Sequence, residues 1–367
     1  MKLESVELRL VRLPLVTPFR TSQHSQDERI ALLVCAHTTE GDGWADCAVD
    51  AGPFYEPEFL SGARAVMAEY LVPALMAAPD AAAARVQSVL APVKGHQLAK
   101  AALETAVLDA ELRAKQMSFA QYLGAVRDRV PAGVSVGIPG SLAELFGQVE
   151  GYLEQGYRRV KLKIEPGWDL EPIQAVRQRF GPHLALQADA NTAYTPASAR
   201  HLRTLDEFGL LLLEQPLAAD DLLGHADLAR VLSTPICLDE SITSPRAAAT
   251  ALRLGACSVI NIKPARVGGY LAARAIHDLC AAHGVPVWCG GMLETGIGRA
   301  ANLALAALEN FTLPGDISAT ARYFTEDITP PFVLKDGHIA VPSGPGTGVE
   351  ILPDVLGRLT IHHEVLR

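Results

Sequence analysis

Charged side chains recur along the middle of this 367-residue chain, each near the end of a short apolar segment. The series comprises a lysine pair, three acids and a further lysine: Lys161 with Lys163, Asp189, Glu214, Asp239 and Lys263. From Lys163 onward, successive members are 26, 25, 25 and 24 residues apart. A strand with its following helix occupies about this length, so each residue is expected at the same phase of a repeating βα unit.

The three acids can converge on one point if their strands are neighbours. Carboxylate oxygens without a companion histidine or cysteine suit Mg²⁺, and Mn²⁺ or Co²⁺ could take its place. Lone acids at loop starts are usually solvated, but the shared spacing of Asp189, Glu214 and Asp239 favours a metal site over three separate surface acids. Asp239 and Glu240 are adjacent, and strand alternation sends only one of them inward. Spacing alone leaves that choice open.

Lys161 and Lys163 are two residues apart on a predicted strand, so both face the same side. A buried lysine is costly unless it is paired or functional, which makes surface lysines the weaker interpretation. A neighbouring ammonium and a nearby cation both disfavour a positive charge on Lys163, and an uncharged amine can act as a base. Lys161 is therefore expected to support Lys163 in catalysis.

Lys263 comes from the sixth predicted strand, four strands beyond the lysine pair. In a closed ring of eight strands this is the opposite wall, so a substrate at the metal would meet one amine on each face. One amine could remove a proton from carbon and the other could return one from the far side, which inverts that carbon. A proton next to a carboxylate is weakly acidic, and a divalent cation stabilises the charge that its removal creates.

Two patterns of hydrophobic periodicity divide the chain into the secondary-structure elements that would position these residues. Period-two alternation at 2–43 and a helical pattern at 61–124 predict an α+β domain over residues 1–125. Alternating strands and helices then predict a barrel domain over residues 126–322, and the tail, 323–367, is expected to pack back on the first domain. The predicted strands are 133–136, 159–164, 184–188, 210–213, 236–238, 258–262, 285–288 and a weaker one near 312–317.

Eight near-even repeats favour a closed (β/α)8-type barrel in the α/β class, and an open doubly wound sheet is the competing architecture. Helix boundaries support the repeats. Ser141 and Glu144 form a capping box, and Ser244-Pro245 begins a helix that ends at Gly255. In such a barrel the active face lies at the C-terminal ends of the strands, where the ring of charged residues falls.

Composition excludes several classes of partner. There are 32 Lys and Arg against 41 Asp and Glu, a net charge of −9, which argues against nucleic acid or an anionic membrane as partner. The six cysteines lack a C-x-x-C spacing and are expected to be free thiols in a reducing cytosol. No export signal and no run of eighteen apolar residues is visible, so a cytoplasmic location is expected.

Several short motifs in order resemble the enolase superfamily, muconate-lactonizing subgroup, and within it the N-acylamino acid racemase / o-succinylbenzoate synthase family. The similarity runs nearly from end to end. The set of motifs is far more specific than any one of them alone, and it consists of Lys161-Leu162-Lys163, Asp189-Ala190-Asn191, Glu214-Gln215-Pro216, Asp239-Glu240-Ser241, Asn261-Ile262-Lys263 and Gly290-Gly291-Met292-Leu293-Glu294-Thr295-Gly296.

The resemblance implies a modified (β/α)7β barrel with an α+β capping domain that serves as a lid. It implies Asp239, not Glu240, as the third metal ligand, and Lys163 and Lys263 as the acid/base pair. It also implies a homo-oligomer. This chain departs from the family at Gln23 and His24, where members often carry an aromatic residue and a glycine, which puts the acyl or side-chain preference in doubt. The implied substrate-binding residues are Phe19, Asp50, Tyr55, Ser135, Asn191, Arg266, Gly291, Met292 and Leu293.

The implied activity is a divalent-metal-dependent racemisation of N-acylamino acids, N-acetyl or N-succinyl, by two-base transfer of the α-proton. The same site could also carry o-succinylbenzoate synthase activity. Alternatives are that synthase, a dehydratase of menaquinone biosynthesis, as the sole activity, or a dipeptide epimerase. A non-catalytic metal-binding scaffold is disfavoured because no residue of the charged ring is replaced by an inert one.

Overall fold

The computed structural model describes residues 1–22 and 25–367, which form thirteen β-strands and fourteen α-helices. In this part of the chain, no helix is both long enough and apolar enough for a membrane span. The strands are β1 (Leu3–Arg20), β2 (Ser25–Thr38), β3 (Gly41–Cys47), β4 (Arg129–Pro131), β5 (Gly133–Val136), β6 (Arg159–Lys163), β7 (Ala185–Asp189), β8 (Leu213–Glu214), β9 (Ile236–Leu238), β10 (Val259–Ile262), β11 (Val287–Cys289), β12 (His338–Ala340) and β13 (Thr360–Leu366).

The helices fall into two groups, one before β4 and one that mostly alternates with the later strands. Short π- or 3₁₀-helical segments lie at Met67–Leu71, Pro196–Ser198, Arg203–Phe208 and Thr320–Arg322. The α-helices are α1 (Leu60–Val66), α2 (Val72–Met76), α3 (Ala83–Leu90), α4 (Gln97–Ala114), α5 (Phe119–Leu123), α6 (Leu142–Glu154), α7 (Leu170–Phe180), α8 (Ala199–Leu202), α9 (Leu222–Val231), α10 (Pro245–Leu254), α11 (Pro264–Val267), α12 (Tyr270–Ala282), α13 (Gly296–Ala306) and α14 (Pro353–Leu359).

The N-terminal strands form an antiparallel sheet in the order β13-β1-β2-β3, so the last strand of the chain pairs with the first. Alternate residues of the sheet face opposite sides. Leu32 and Val34 pack into the core that includes α4, whereas Ala31 and Leu33 pack against Leu293 of the barrel. The sheet therefore sits between its own helices and the barrel, which fixes the capping domain over one end of the barrel.

Seven parallel strands form the barrel sheet, in the order β11-β10-β9-β8-β7-β6-β5. Strands β5 and β9 have the predicted bounds, and the other five begin or end within a few residues of them. Their residues are almost all buried, as expected for a parallel sheet with both faces covered. The sequential order of neighbouring strands is the one that a βα repeat gives.

The predicted eighth strand is wrong as a regular strand, because the described residues near 312–317 form isolated bridges only. Its backbone still joins both edges of the sheet. The N–H of Gly133 in β5 donates to Gly315 at 2.7 Å, and the N–H of Asp316 donates to Cys289 of β11 at 2.9 Å. This closing segment completes a ring, as in a (β/α)7β barrel, and the competing open doubly wound sheet is wrong.

Helix caps follow the predicted signals. Ser141 caps α6 by accepting from the N–H of Glu144 at 3.2 Å, and Glu144 accepts from the N–H of Gly140 at 2.9 Å. Ser244 caps α10, which ends at Gly255 in the left-handed conformation that glycine tolerates (φ 66°). These caps fix where each helix begins or ends, and so set the length of the loops at the strand ends.

Candidate active site

Parallel pairing places the predicted ring at one end of the barrel. Lys163 of β6 lies opposite Asp189 of β7, and Asp189 lies opposite Glu214 of β8. Asp239 directly follows β9 and Lys263 directly follows β10, so both leave their strands at the same end. Each of the six ring residues is at most 8% exposed. The structure therefore brings the whole series together at the C-terminal ends of the strands.

The two outer lysines flank the three acids. Lys163 Nζ lies 2.6 Å from Asp189 Oδ2 and also donates to Asn191 Oδ1 at 2.6 Å. Lys263 Nζ lies 2.8 Å from Asp239 Oδ2. Since the strand order is β6-β7-β8-β9-β10, Glu214 of the central strand separates these two lysine–acid pairs. The amines thus stand on opposite flanks of the acid group.

Lys161 lies among three carboxylates. Its Nζ is 3.0 Å from Asp189, 3.0 Å from Glu214 and 2.6 Å from Asp316. It also lies 4.9 Å from the ring centre of Trp288. Burial opposes the charged amine, but the three carboxylates outweigh burial and raise the pKa of Lys161 well above its ordinary value. Lys161 is therefore a fixed cation of the site and cannot act as a base near neutral pH.

Unusual backbone conformations follow the strand ends. Asn191, Gln215 and Leu293 have positive φ angles of 42°, 38° and 56°. Residues other than glycine rarely adopt such angles, and those that do often cluster at functional sites. The Gln215 side-chain carbonyl accepts from the backbone N–H groups of Asp239 and Ser241, at 2.9 and 3.2 Å. This turn is why Asp239 leaves its strand toward the ring.

Burial and neighbouring charges shift the pKa values of the three acids in different directions. Burial raises the pKa of Glu214 to about 8, and the charge of Asp189 adds to this effect. Burial acts on Asp189 in the same direction, but Lys163 and Lys161 outweigh it and lower that pKa. Burial is likewise overcome at Asp239, where Arg266 and Lys263 hold the pKa well below its usual range. The central acid is therefore the one with the least compensated charge.

Asp239 and Glu240 both lie in the site, so the expectation that alternation admits only one of them is wrong. The strand ends at Leu238, and the following turn is not bound by alternation. Asp239 contacts the Lys263 amine, whereas Glu240 Oε1 accepts from Asn191 Nδ2 at 2.9 Å. Burial raises the pKa of Glu240 to about 7, with a further contribution from the charge of Asp239.

The donor set fits a divalent cation. Glu240 Oε2 and Asn261 Oδ1 are buried without a hydrogen-bond partner among the described residues, and the crowded acids repel one another. Among the described residues, the three ring acids do not form a group whose ligand atoms all lie within 4.8 Å of one another, and each acid contacts a lysine. The described group with ligand atoms within 4.8 Å of one another is Cys35, His37 and Asp42, on the capping sheet.

A cleft of about 750 Å³ opens above the ring, and both domains line it. Tyr55 of the capping domain reaches across the cleft. Its hydroxyl lies 2.5 Å from Lys263 Nζ, 2.7 Å from an Arg266 nitrogen and 3.0 Å from Asp239 Oδ2. The capping domain thus contacts one of the two flanking lysines directly.

Most of the predicted substrate-binding residues line this cleft. Asn191 and Arg266 instead lie beside the ring acids, where they bond Lys163 and Asp239 respectively. Gln23 and His24 lie outside the described residues. The predicted residues that line the cleft are Phe19, Asp50, Tyr55, Ser135, Gly291, Met292 and Leu293.

Sequence reasoning missed several residues of the site, chiefly Asp316 and Arg159. Asp316 was detectable, because it lies two further repeats beyond Lys263, at the end of the weakest predicted strand. Arg159 begins a strand and gives no such signal. Further cleft residues not predicted are Gln26, Glu294, Arg299, Ile317 and Tyr323.

Gly290 leaves room for Lys263. A β-carbon there would lie 2.7 Å from Lys263 Cε and would also meet the Asn261 amide. Gly290→Ala is therefore expected to displace the lysine and lower turnover by roughly tenfold or more. Gly147→Ala in α6 is the matched control, because its added methyl group meets nothing within 4 Å. Steady-state kinetics of both variants measure the effect, and unchanged turnover of Gly290→Ala would contradict it.

Two family descriptions match the chain. Residues 5–124 match the mandelate racemase / muconate lactonizing enzyme N-terminal domain, and residues 144–355 match the enolase C-terminal domain-like family. Together they cover the capping domain and the barrel with its ring of charged residues.

Similar proteins agree with these matches. An N-succinylamino acid racemase from Amycolatopsis sp is 61% identical over 98% of each chain. An o-succinylbenzoate synthase from Geobacillus kaustophilus is 46% identical over 95% of this chain and 93% of its own. A solved enolase superfamily member from Listeria innocua superposes with a TM-score of 0.95 at 39% identity, covering 100% of this chain and 99% of that one. The chain therefore belongs to the enolase superfamily, muconate-lactonizing subgroup, and within it to the N-acylamino acid racemase / o-succinylbenzoate synthase family.

Proposed function

We propose that this enzyme racemises N-acylamino acids, N-acetyl or N-succinyl, by transferring the α-proton between two lysines. The observation that carries the proposal is the placement of Lys163 and Lys263 on opposite flanks of three buried acids, both lining one cleft. A planar intermediate between two such amines can receive a proton on either face, so both enantiomers are substrates and both are products.

In one direction, the uncharged Lys163 amine takes the α-proton. The Cα–H bond breaks, an N–H bond forms, and the electron pair left on carbon delocalises into the carboxylate as an enediolate. The Lys263 ammonium then donates a proton to the opposite face, which forms the new Cα–H bond and returns the carboxylate. The reverse direction exchanges the roles of the two lysines. Lys161 does not transfer a proton in either direction.

Asp189, Glu214 and Asp239 are the proposed ligands of one divalent cation, Mg²⁺ by their hard oxygens, with Mn²⁺ or Co²⁺ as substitutes. When bound, such a cation offsets the negative charge that develops on the substrate carboxylate. Lys161 adds a second fixed positive charge at this end of the cleft. Support comes from the burial of these three carboxylates close together: burial raises the pKa of Glu214, and the charge of Asp189 adds to that effect.

The cleft suits an acylated amino acid. Its lining combines apolar side chains such as Phe19 and Met292 with the Ser135 hydroxyl, which is buried without a hydrogen-bond partner among the described residues. That hydroxyl can serve an amide or acyl oxygen, and the apolar surface can cover a side chain. We propose Phe19, Asp50, Tyr55, Ser135, Gly291, Met292 and Leu293 as substrate contacts, with Asn191 and Arg266 acting through Lys163 and Asp239.

A second candidate activity is o-succinylbenzoate synthase, alone or alongside racemisation. It is favoured by the similarity to o-succinylbenzoate synthases from Geobacillus kaustophilus and Bacillus subtilis and by Lys263, which lies 2.8 Å from Asp239. An ammonium in this position can stabilise negative charge without moving a proton. In that reaction Lys163 removes a proton from the cyclohexadiene precursor and assists the loss of hydroxide.

A substrate panel tests the proposal. Purified enzyme with Mg²⁺ is expected to racemise N-succinyl- and N-acetylamino acids, as followed by polarimetry, and to leave L-Ala-Glu-type dipeptides largely unchanged. The same preparation is assayed on the cyclohexadiene precursor of o-succinylbenzoate. Turnover of the precursor without any racemisation would replace the racemase proposal by the synthase. Epimerisation of dipeptides alone would replace both.

We further propose a cytoplasmic homo-oligomer. All six cysteines are free and buried in this structure, as suits a protein of a reducing compartment. Light scattering of the purified protein tests the oligomeric state.

A further inference from the structure

We infer that Asp316 is a positioning residue, which holds Lys161 in the cleft so that its ammonium can meet the substrate carboxylate. This inference rests on the proposed function. Asp316 Oδ2 lies 2.6 Å from Lys161 Nζ, the shortest of the three ion pairs that this lysine makes. Both side chains line the cleft, so the pair stands where a substrate enters.

Arg159 fixes the other oxygen of Asp316. Its Nη1 lies 2.7 Å from Asp316 Oδ1, and its Nη2 donates to the carbonyl of Pro314 at 2.8 Å. The Arg159 side chain is fully buried and lies 5.4 Å from the ring centre of Trp288. With one oxygen held by arginine, the Asp316 carboxylate cannot rotate freely, and it presents the second oxygen to Lys161 in one orientation.

Lys161 receives opposing attractions around the ring. Asp189 and Glu214 belong to β7 and β8, on one side of β6. Asp316 belongs to the closing segment, which bonds β5 and so lies on the other side of β6. Without Asp316, the ammonium has only the two proposed metal ligands as carboxylate partners. It would then shift toward them, away from the open cleft, and compete with a cation for their oxygens.

A double-mutant cycle tests this inference. Asp316→Asn is expected to lower kcat/KM by roughly 100-fold, in both directions of racemisation alike, because Lys161 is not one of the two proton-transferring lysines. The variant Lys161→Ala with Asp316→Asn is expected to be within about threefold of Lys161→Ala alone, since the aspartate acts only through the lysine. Additive losses, or a loss confined to one enantiomer, would overturn the assignment.

Folding is controlled separately. Asp316→Asn leaves Arg159 without its carboxylate partner, which can destabilise the barrel. The double variant Arg159→Gln with Asp316→Asn removes both buried charges. Adding Lys161→Ala to this double variant must lower kcat/KM by less than it does in the wild type, as it does with Asp316→Asn alone. Asp206→Asn is the matched control, because Asp206 accepts from the backbone of Ser233 and Thr234 at the opposite end of the barrel. Its kinetics are expected to match wild type.

The cycle also separates this inference from the proposed function. If the wild-type enzyme turns over only the o-succinylbenzoate precursor, the cycle is run on that reaction, whose substrate is also a carboxylate. A wild-type enzyme inactive on both substrate classes refutes the proposed function. Additive losses in an active enzyme refute the role of Asp316 and leave the proposed function standing.

Discussion

Replacing Lys163 by alanine is expected to abolish solvent-deuterium exchange from one enantiomer of an N-acylamino acid, and Lys263→Ala from the other. Each amine reaches one face of the substrate, because the two lysines flank the acid group from β6 and β10. A missing base costs roughly 10²–10⁴-fold in proton transfer, so racemisation should fall by that factor in both variants. Proton NMR in D₂O follows the α-proton of each enantiomer separately.

Two bases are identified by the exchange that each variant keeps, namely that of the enantiomer which its remaining lysine deprotonates. Lys163→Ala keeps Lys263 and should still exchange the enantiomer that Lys263 deprotonates, although no racemisation follows. Lys100→Ala is the matched control, because Lys100 is also buried but lies in α4 and donates to the carbonyl of Val93. Exchange from both enantiomers in either ring variant would show that a single base serves both faces, and the two-base mechanism would fail.

Tyr55 connects the capping domain to one of the two proposed proton-transferring lysines. Its hydroxyl lies 2.5 Å from Lys263 Nζ. A racemase must pass the same intermediate in both directions, so the contact with Tyr55 has to leave Lys263 able both to accept and to donate a proton.

The ring of charged residues was predictable because the strands recur at a regular interval along the chain and each ring residue lies at or near the end of its strand. Residues at the ends of successive parallel strands lie at the same end of the barrel. The 24- to 26-residue spacing from Lys163 to Lys263 is the interval between such strand ends. Tertiary detail was less accessible. Asp239 and Glu240 both reach the site through the turn that Gln215 holds from a neighbouring strand, and no local pattern encodes that contact.

The closing segment shows a second limit. Its residues lack the alternating or continuous apolar run of a strand, and in the structure they bond both edges of the sheet without forming a regular ladder. Asp316 lies in this weakest predicted strand and was overlooked, although its spacing from Lys263 fits two further repeats. Likewise, β13 completes the N-terminal sheet from the far end of the chain, and pairing between distant segments leaves no periodic trace in either one.

Removing the divalent cation is expected to abolish turnover, and Glu214→Gln is expected to weaken Mg²⁺ binding by at least roughly 100-fold. Glu214 lies on the central strand of the three acids and is fully buried. Replacing its carboxylate by an amide removes a negatively charged oxygen from the proposed metal site. Isothermal titration calorimetry with Mg²⁺ measures the affinity independently of any substrate.

Glu104→Gln provides the matched comparison for this prediction. Glu104 is also fully buried, but it lies in α4 of the capping domain and accepts from the backbone of Leu271. Its variant should bind Mg²⁺ as wild type does, whereas Glu214→Gln should not. After treatment with EDTA, Mg²⁺, Mn²⁺ or Co²⁺ should each restore activity to the wild type. Equal Mg²⁺ affinity in the two variants would move the cation away from these acids and leave the paired lysines without the charge that their proton transfer requires.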